Sequence, residues 1–207
     1  MHKEYKPLFS LDPAVTYLNH GSFGACPKAI FDSLINFQKQ LEYEPVKFLD
    51  HHLYEYLKES RLALSNYINC DRDDIAFYPN PSTALNTLIR SLDLNKGDQI
   101  LTTNHEYGAL DRTWNFISKK SGCEYVKLDI EIPFLDKQKF IDSFKTAINK
   151  NTKIIFLSHI TSATALIFPV KEIIELAKKN NILTIVDGAH VPAHIELDIK
   201  KLDPDFY

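Results

Sequence analysis

Four short stretches of this chain place chemically capable side chains directly behind runs of apolar residues. "IVDGAH" puts Asp187 and His190 after Ile182-Leu183-Thr184-Ile185-Val186, and "TTNHEYGAL" puts His105, Glu106 and Tyr107 after a strand-like run. "FLSHITSATALIFPV" crowds Ser158, His159, Thr161, Ser162 and Thr164 together, and "YPNPSTALN" sets Ser82 and Thr83 where a helical pattern begins. Each has an ordinary reading and a chemical one. Ser82 reads as a helix N-cap. That is the commoner case, but it also reads as a hydroxyl beside free helix N–H groups, which with Thr83 suits a phosphate. Tyr107 is a half-buried tyrosine or an aromatic lying flat on a planar ligand. The Ser/Thr cluster is turn chemistry or a set of donors at a ligand edge.

Asp187 reads as a residue bonding its own turn backbone. At the mouth of a buried strand, however, a carboxylate is costly without a donor or a positive partner. A protonated pyridine nitrogen is such a partner, and His190 could reach the same ligand from its side. No G-x-G-x-x-G or Walker pattern occurs, which disfavours an ordinary nucleotide site. A metal site is not expected either. His190 and His194 are separated by Pro192, adjacent His51 and His52 diverge on a helix, and no Cys-x-x-Cys or His-Glu-x-x-His exists.

These groups need elements to position them. Residues 1–26, punctuated by Pro7, Pro13, Gly21 and Gly24, predict an irregular N-terminal arm. Pro27 opens a helix with Ile30, Leu34, Phe37 and Leu41 on one face, and a second helix carries Leu53, Leu57, Leu64 and Ile68. Thereafter strands alternate with helices. "IAFYP", "DQILTT", "EYVKLD", "KIIFLS" and "ILTIVD" read as strands, separated by helices over 82–92, 109–120, 137–148 and 170–179. This alternation predicts an α/β fold with a mostly parallel sheet covered on both faces, whose ligands bind beyond the carboxyl ends of the strands.

The 207 residues allow one sizeable domain, over 27–207 in this reading. A net charge of -3 without a basic stripe argues against nucleic acid. No apolar run approaches a membrane span, and three widely spaced cysteines read as reduced thiols, so a cytoplasmic location is expected.

Together, "YLNHGSFGACP", "NPSTALNTLIRSL", "HEYGALDRTW", "SHITSATALIFPV" and "VDGAHVPAHIELDIKKLDPDFY" resemble, in this order, the N-terminal part of class V aminotransferase-fold enzymes dependent on pyridoxal 5'-phosphate (PLP). The isopenicillin N epimerase-like branch, near the cysteine desulfurases and sulfur lyases, is the most similar. The resemblance implies the large domain of fold type I. It also implies that Ser82 and Thr83 hold the cofactor phosphate, Tyr107 stacks on the pyridine ring and Asp187 bonds its nitrogen. His190 and Ser162 would reach the ring hydroxyl, and Asn19, His20 and Gly21 would border an amino-acid substrate. Pro81 departs from the Ala or Thr usual in the family and removes one N–H near the phosphate. The implied chemistry is at an amino-acid α-carbon: epimerisation, transamination or carbon–sulfur lysis. A homodimer is implied as well, with Tyr43, Phe48, Leu53, Tyr54 and Tyr56 supplying part of the contact. The family's Schiff-base lysine motif and small C-terminal domain have no match in the chain. No catalytic residue is therefore assigned, and the chain alone is expected to be inactive. The competing reading is a non-catalytic protein that binds a partner subunit or a phosphorylated ligand.

Overall fold

The computed structural model describes residues 5–207; residues 1–4 of the arm expected over 1–26 lie outside them. The chain forms two compact units, 1–64 and 65–207.

In the first unit, residues 5–27 are irregular apart from a 3-10 turn at Lys6–Leu8 and a single antiparallel bridge between Phe9 and Pro27. Helix α1, Lys28–Tyr43, starts from Pro27, whose fixed φ suits a helix entry. Its apolar positions Ile30, Leu34 and Phe37 are all exposed. A π-helical stretch, Lys47–His52, then leads into α2, Leu53–Ile68. His51 and His52 thus lie on π-helical rather than α-helical backbone. Phe37, Phe48 and Tyr56 pack as a ring cluster with centroids 5.2–6.5 Å apart. Phe48 is consequently buried within its own unit, whereas Tyr43 and Tyr54 remain exposed.

The second unit is the parallel α/β layer that the alternation predicts. Its elements are α3 (Pro81–Ser91), β1 (Gln99–Thr103), α4 (Gly108–Ser121), β2 (Glu124–Leu128), α5 (Lys137–Ala147), β3 (Thr152–Ser158), α6 (Val170–Lys179), β4 (Leu183–Asp187) and α7 (Ile199–Leu202). The sheet order is β2-β1-β3-β4, all parallel. Segment 205–207 lies beside β4, where Phe206 forms a parallel bridge with Ile185. The strand expected over 75–79 is absent. Those residues join no sheet ladder among the described residues and are mostly exposed.

Alternate residues of each strand serve opposite cores. Ile100, Ile154, Phe156 and Ile185 pack with Leu85 and Ile89 of α3 and with Leu110 and Trp114 of α4. Leu101, Ile155, Leu157 and Val186 pack with Phe140 and Phe144 of α5 and with Ile173 and Ile174 of α6. Both faces are covered, so β1 is buried along its whole length and its sequence shows no polar alternation. The edge strand β2 is only partly buried. Helix ends are set locally. Asn80, Asp136 and Asp198 cap α3, α5 and α7 through their side chains, and Gly122 ends α4 with φ 79°, a left-handed conformation that glycine adopts freely.

Candidate functional site

Leu92, Asp93 and Leu94, which follow α3, share a surface pocket with Lys153, Ile154 and Leu183 near the amino ends of β3 and β4. Helix α3 therefore returns along the sheet with its N-terminus toward the carboxyl ends of the strands. The N-terminus of α4 follows β1 directly, so it lies at those ends too. Two helix starts and the ends of β1, β3 and β4 are thereby directed to one edge of the sheet.

Asp187, the last residue of β4, is 6% exposed. One oxygen accepts the Ala189 N–H at 3.0 Å, which is the turn bond that the sequence allows. Burial nonetheless raises its pKa, against the opposing effects of that bond and of His190. His190 is half-buried three residues further on, in a turn. The ring of Tyr207 lies against Gly188, where any side chain would collide with it. The Tyr207 hydroxyl is raised by burial and by the charge of Asp187, so it keeps its proton. It pairs with Nδ1 of His159 at 3.0 Å. Burial lowers the His159 pKa, so a neutral ring accepts this bond and carries its own hydrogen on Nε2.

Glu106 lies between β1 and β3. It accepts hydrogen bonds from Thr103 Oγ1 at 2.6 Å, from the Ser158 N–H at 2.8 Å and from Ser158 Oγ at 2.7 Å. Desolvation outweighs these three donors, and the charge of Asp187 adds to it, so the carboxyl is pushed up to about 7. Tyr107 follows it at the start of α4, 44% exposed and without a capping bond, so its ring is open to a ligand.

A second polar chain fixes the loop after β3. His105 Nε2 donates to the Ile130 carbonyl at 2.8 Å, and Nδ1 pairs with Thr164 Oγ1 at 3.2 Å. Thr161 and Thr164 share a hydroxyl bond at 2.7 Å, and Thr161 also accepts the Leu166 N–H. This loop presents Ser162 as an exposed residue.

At the start of α3 the N-cap is Asn80, not Ser82. The Asn80 side chain accepts from the Thr83 N–H at 2.8 Å and from Thr83 Oγ1 at 3.0 Å. The Asn80-Pro81 step explains this: Pro81 takes the first helical position, where no N–H is needed, and leaves the asparagine as cap. Ser82 and Thr83 line a shallow depression of about 350 Å³ with Asn86, Thr87 and Arg90. An anion there would meet the Ser82 hydroxyl, whereas both Thr83 donors are turned to Asn80.

Of the residues singled out in sequence, the second unit carries Ser82, Thr83, Tyr107, Ser162, Asp187 and His190 on segments directed to the carboxyl edge. Asn19, His20 and Gly21 belong to the first unit, where Asn19 closes a turn with Phe23 and the His20 ring packs edge-on against Tyr17 at 4.8 Å. The roles of Glu106, His159 and Tyr207 were not legible in sequence. The available signal for Glu106 was a carboxylate directly behind a buried strand, the same signal that marked Asp187. Among the described residues, no cluster of three or more metal-ligating side chains occurs, and no helix is long and apolar enough to cross a membrane.

Residues 17–207 match the aminotransferase class-V family. The isopenicillin N epimerase of Streptomyces clavuligerus is 33% identical over 198 residues, covering 95% of this chain and 50% of that protein. A probable cysteine desulfurase of Pyrococcus abyssi is 28% identical over 205 residues, covering 95% of this chain and 49% of its own length. The chain spans about half the length of the curated relatives it matches. Among solved structures, a complex of the cystine C-S lyase C-DES with cysteine persulfide superposes with a TM-score of 0.85 at 22% identity, over 94% of this chain and 52% of that one. The cysteine desulfurase CsdA of Escherichia coli gives a TM-score of 0.83 at 20% identity, over 99% and 53%. These two likenesses establish the fold, that of the cysteine desulfurase-like α/β proteins.

Proposed function

The chain belongs to the aminotransferase class-V family, and from that premise we propose that its carboxyl edge binds PLP and takes part in chemistry at the α-carbon of an amino acid. The observation that carries this reading is Asp187. It is a buried carboxylate with a raised pKa, one backbone donor and no cationic side chain bonded to it among the described residues. A protonated ring nitrogen supplies the missing positive partner and, by its charge, draws the carboxyl back toward the ionised form.

The residues present fit such a group. Asp187 would hold the ring nitrogen and keep its proton in place. Tyr107, open at the start of α4, would cover one face of the ring and exclude water from it. Ser82 would donate to the phosphate at the start of α3, and Thr83 would join it on release from Asn80. His190 and Ser162 would meet the ring hydroxyl. PLP bound there supplies an electron sink for a carbanion at the substrate α-carbon. One C-DES structure carries glycine covalently linked to its PLP cofactor.

Relatives are named isopenicillin N epimerase, probable L-cysteine desulfhydrase and probable cysteine desulfurase, and we assign an amino-acid substrate class to this chain without choosing the reaction. The same reading assigns a homodimer, with the exposed Tyr43 and Tyr54 in the contact. It also assigns a cytoplasmic location, in which Cys26, Cys70 and Cys123 remain free thiols. Titrating the purified chain with PLP and following the visible band tests the central point. Saturable binding of one PLP per chain, not displaced by equimolar inorganic phosphate, is expected. No saturable binding would refute the reading.

A further inference from the structure

The four strands do not part evenly at their carboxyl ends. β1 and β2 stay in register to the last pair, Thr103 with Leu128. They remain tied beyond it, because Asn104 donates to Asp129 at 2.6 Å and accepts from the Ile130 N–H at 3.0 Å. β3 and β4 stay in register to Ser158 with Asp187, and the His159 N–H donates to the Asp187 carbonyl at 2.9 Å. Between β1 and β3 the ladder ends early, at Leu101 with Ile155. No ladder pair joins the last residues of the two strands there. This is also the point from which the chain order runs outward in both directions, so it is the crevice where an open parallel sheet offers room for a ligand.

One side chain spans that gap. In a parallel ladder the Ser158 N–H on the β1 side would pair with a β1 carbonyl, and Glu106 takes that place. One carboxylate oxygen accepts from Ser158 N–H and Oγ, and the other accepts from Thr103 Oγ1. A carboxylate suits the position because all three neighbours are donors. We propose that Glu106 is a positioning residue, a clamp that fixes the separation of the β1 and β3 ends. Tyr107 is its chain neighbour and Asp187 is the register partner of Ser158, so the clamp sets the spacing between the aromatic face and the buried carboxylate. The proposal rests on the PLP reading for its consequence, though not for its geometry.

The test uses Glu106→Ala and Glu106→Gln in the full chain, with two readouts. The first is hydrogen exchange of the Ser158 amide, which needs no cofactor. It should quicken at least about tenfold in the alanine variant and stay within about threefold in the glutamine variant, whose oxygen still accepts from Ser158. The second is the induced circular dichroism of bound PLP, which a merely stabilising residue would leave unchanged at saturation. It should collapse in the alanine variant and persist in the glutamine variant. Unchanged Ser158 exchange, or a wild-type dichroic band in Glu106→Ala, overturns the clamp. If the alanine variant does not fold, Thr103→Val removes the β1 arm, together with the Thr103 acceptor of the His105 N–H, and leaves both Ser158 bonds in place; there the dichroic band should weaken while Ser158 stays protected, and an unaltered band overturns the proposal. Failure of the wild-type chain to bind PLP refutes the functional reading instead, and the Ser158 exchange still decides the clamp.

Discussion

The amino and carboxyl ends of the same sheet bury polar groups in opposite ways. At the amino end, Gln99 and Thr152 are both buried and bond each other, while the Asn149 N–H and the Asn151 carbonyl close the neighbouring turn on Thr152 and Gln99. Every partner there is neutral and internal. At the carboxyl end two carboxylates, Glu106 and Asp187, join the buried hydroxyls of Thr103 and Ser158. Glu106 and Asp187 both have raised pKa values, chiefly through burial, and the charge of Asp187 adds to the cost of charging Glu106. Glu106 has three hydrogen-bond donors, whereas Asp187 has one backbone donor and no cationic side chain bonded to it among the described residues, so its charge is costly to bury. Buried polarity at the amino end is thus structural, whereas Asp187 at the carboxyl end implies a ligand that completes it.

The largest effect that sharpens this contrast is in the pH dependence of stability. Folding raises the Glu106 carboxyl from 4.5 to about 7, so the folded chain holds that proton to higher pH than the unfolded chain does. Its stabilising contribution is complete below the unfolded value and is lost as pH rises through about 7. Relative to Glu106→Gln, the wild-type chain should lose up to ~3 kcal/mol of stability across that window. Urea unfolding of both chains at several pH values measures it, and a constant difference would count against the burial of this group.

Next in size is Asp187→Asn. PLP affinity should fall at least tenfold, about 1.4 kcal/mol or more, because a charge-assisted bond is lost. Stability near neutral pH should stay equal or rise, since a buried carboxylate is removed. A loss of both together would make Asp187 structural and erase the distinction between the two ends. Gln99→Ala should do the reverse. It strands Thr152 and costs about 1–2 kcal/mol in urea unfolding, while PLP affinity stays within about twofold. The smallest effect is expected of Ser82→Ala, a loss of about 0.5–1.5 kcal/mol in PLP affinity with unfolding unaffected, read from the same titration.

Periodicity made the α/β layering and the two faces legible, because strands such as Ile154–Leu157 are apolar throughout only when both sides are covered. Asp187 stood out for the same reason, as a carboxylate ending such a run. What pairing alone decides was not legible. Segment 75–79 has strand composition but joins no sheet ladder among the described residues. The N-cap of α3 went to Asn80 because Pro81 took the first helical position. Phe48, expected at a dimer contact, is enclosed by Phe37 and Tyr56 because the π-helical stretch turns it inward. The part played by Glu106 depends on where the β1–β3 ladder stops, and the pairing register that sets this is not written in the residues of either strand.

The central claim is that Asp187 is the buried partner of a protonated ring nitrogen. PLP labelled with nitrogen-15 in the ring, bound to the chain near neutral pH, reports that proton directly through its chemical shift. The account predicts a protonated nitrogen in the wild-type chain and an unprotonated one in Asp187→Asn. The same nitrogen shift in both chains, at saturating PLP, would contradict it.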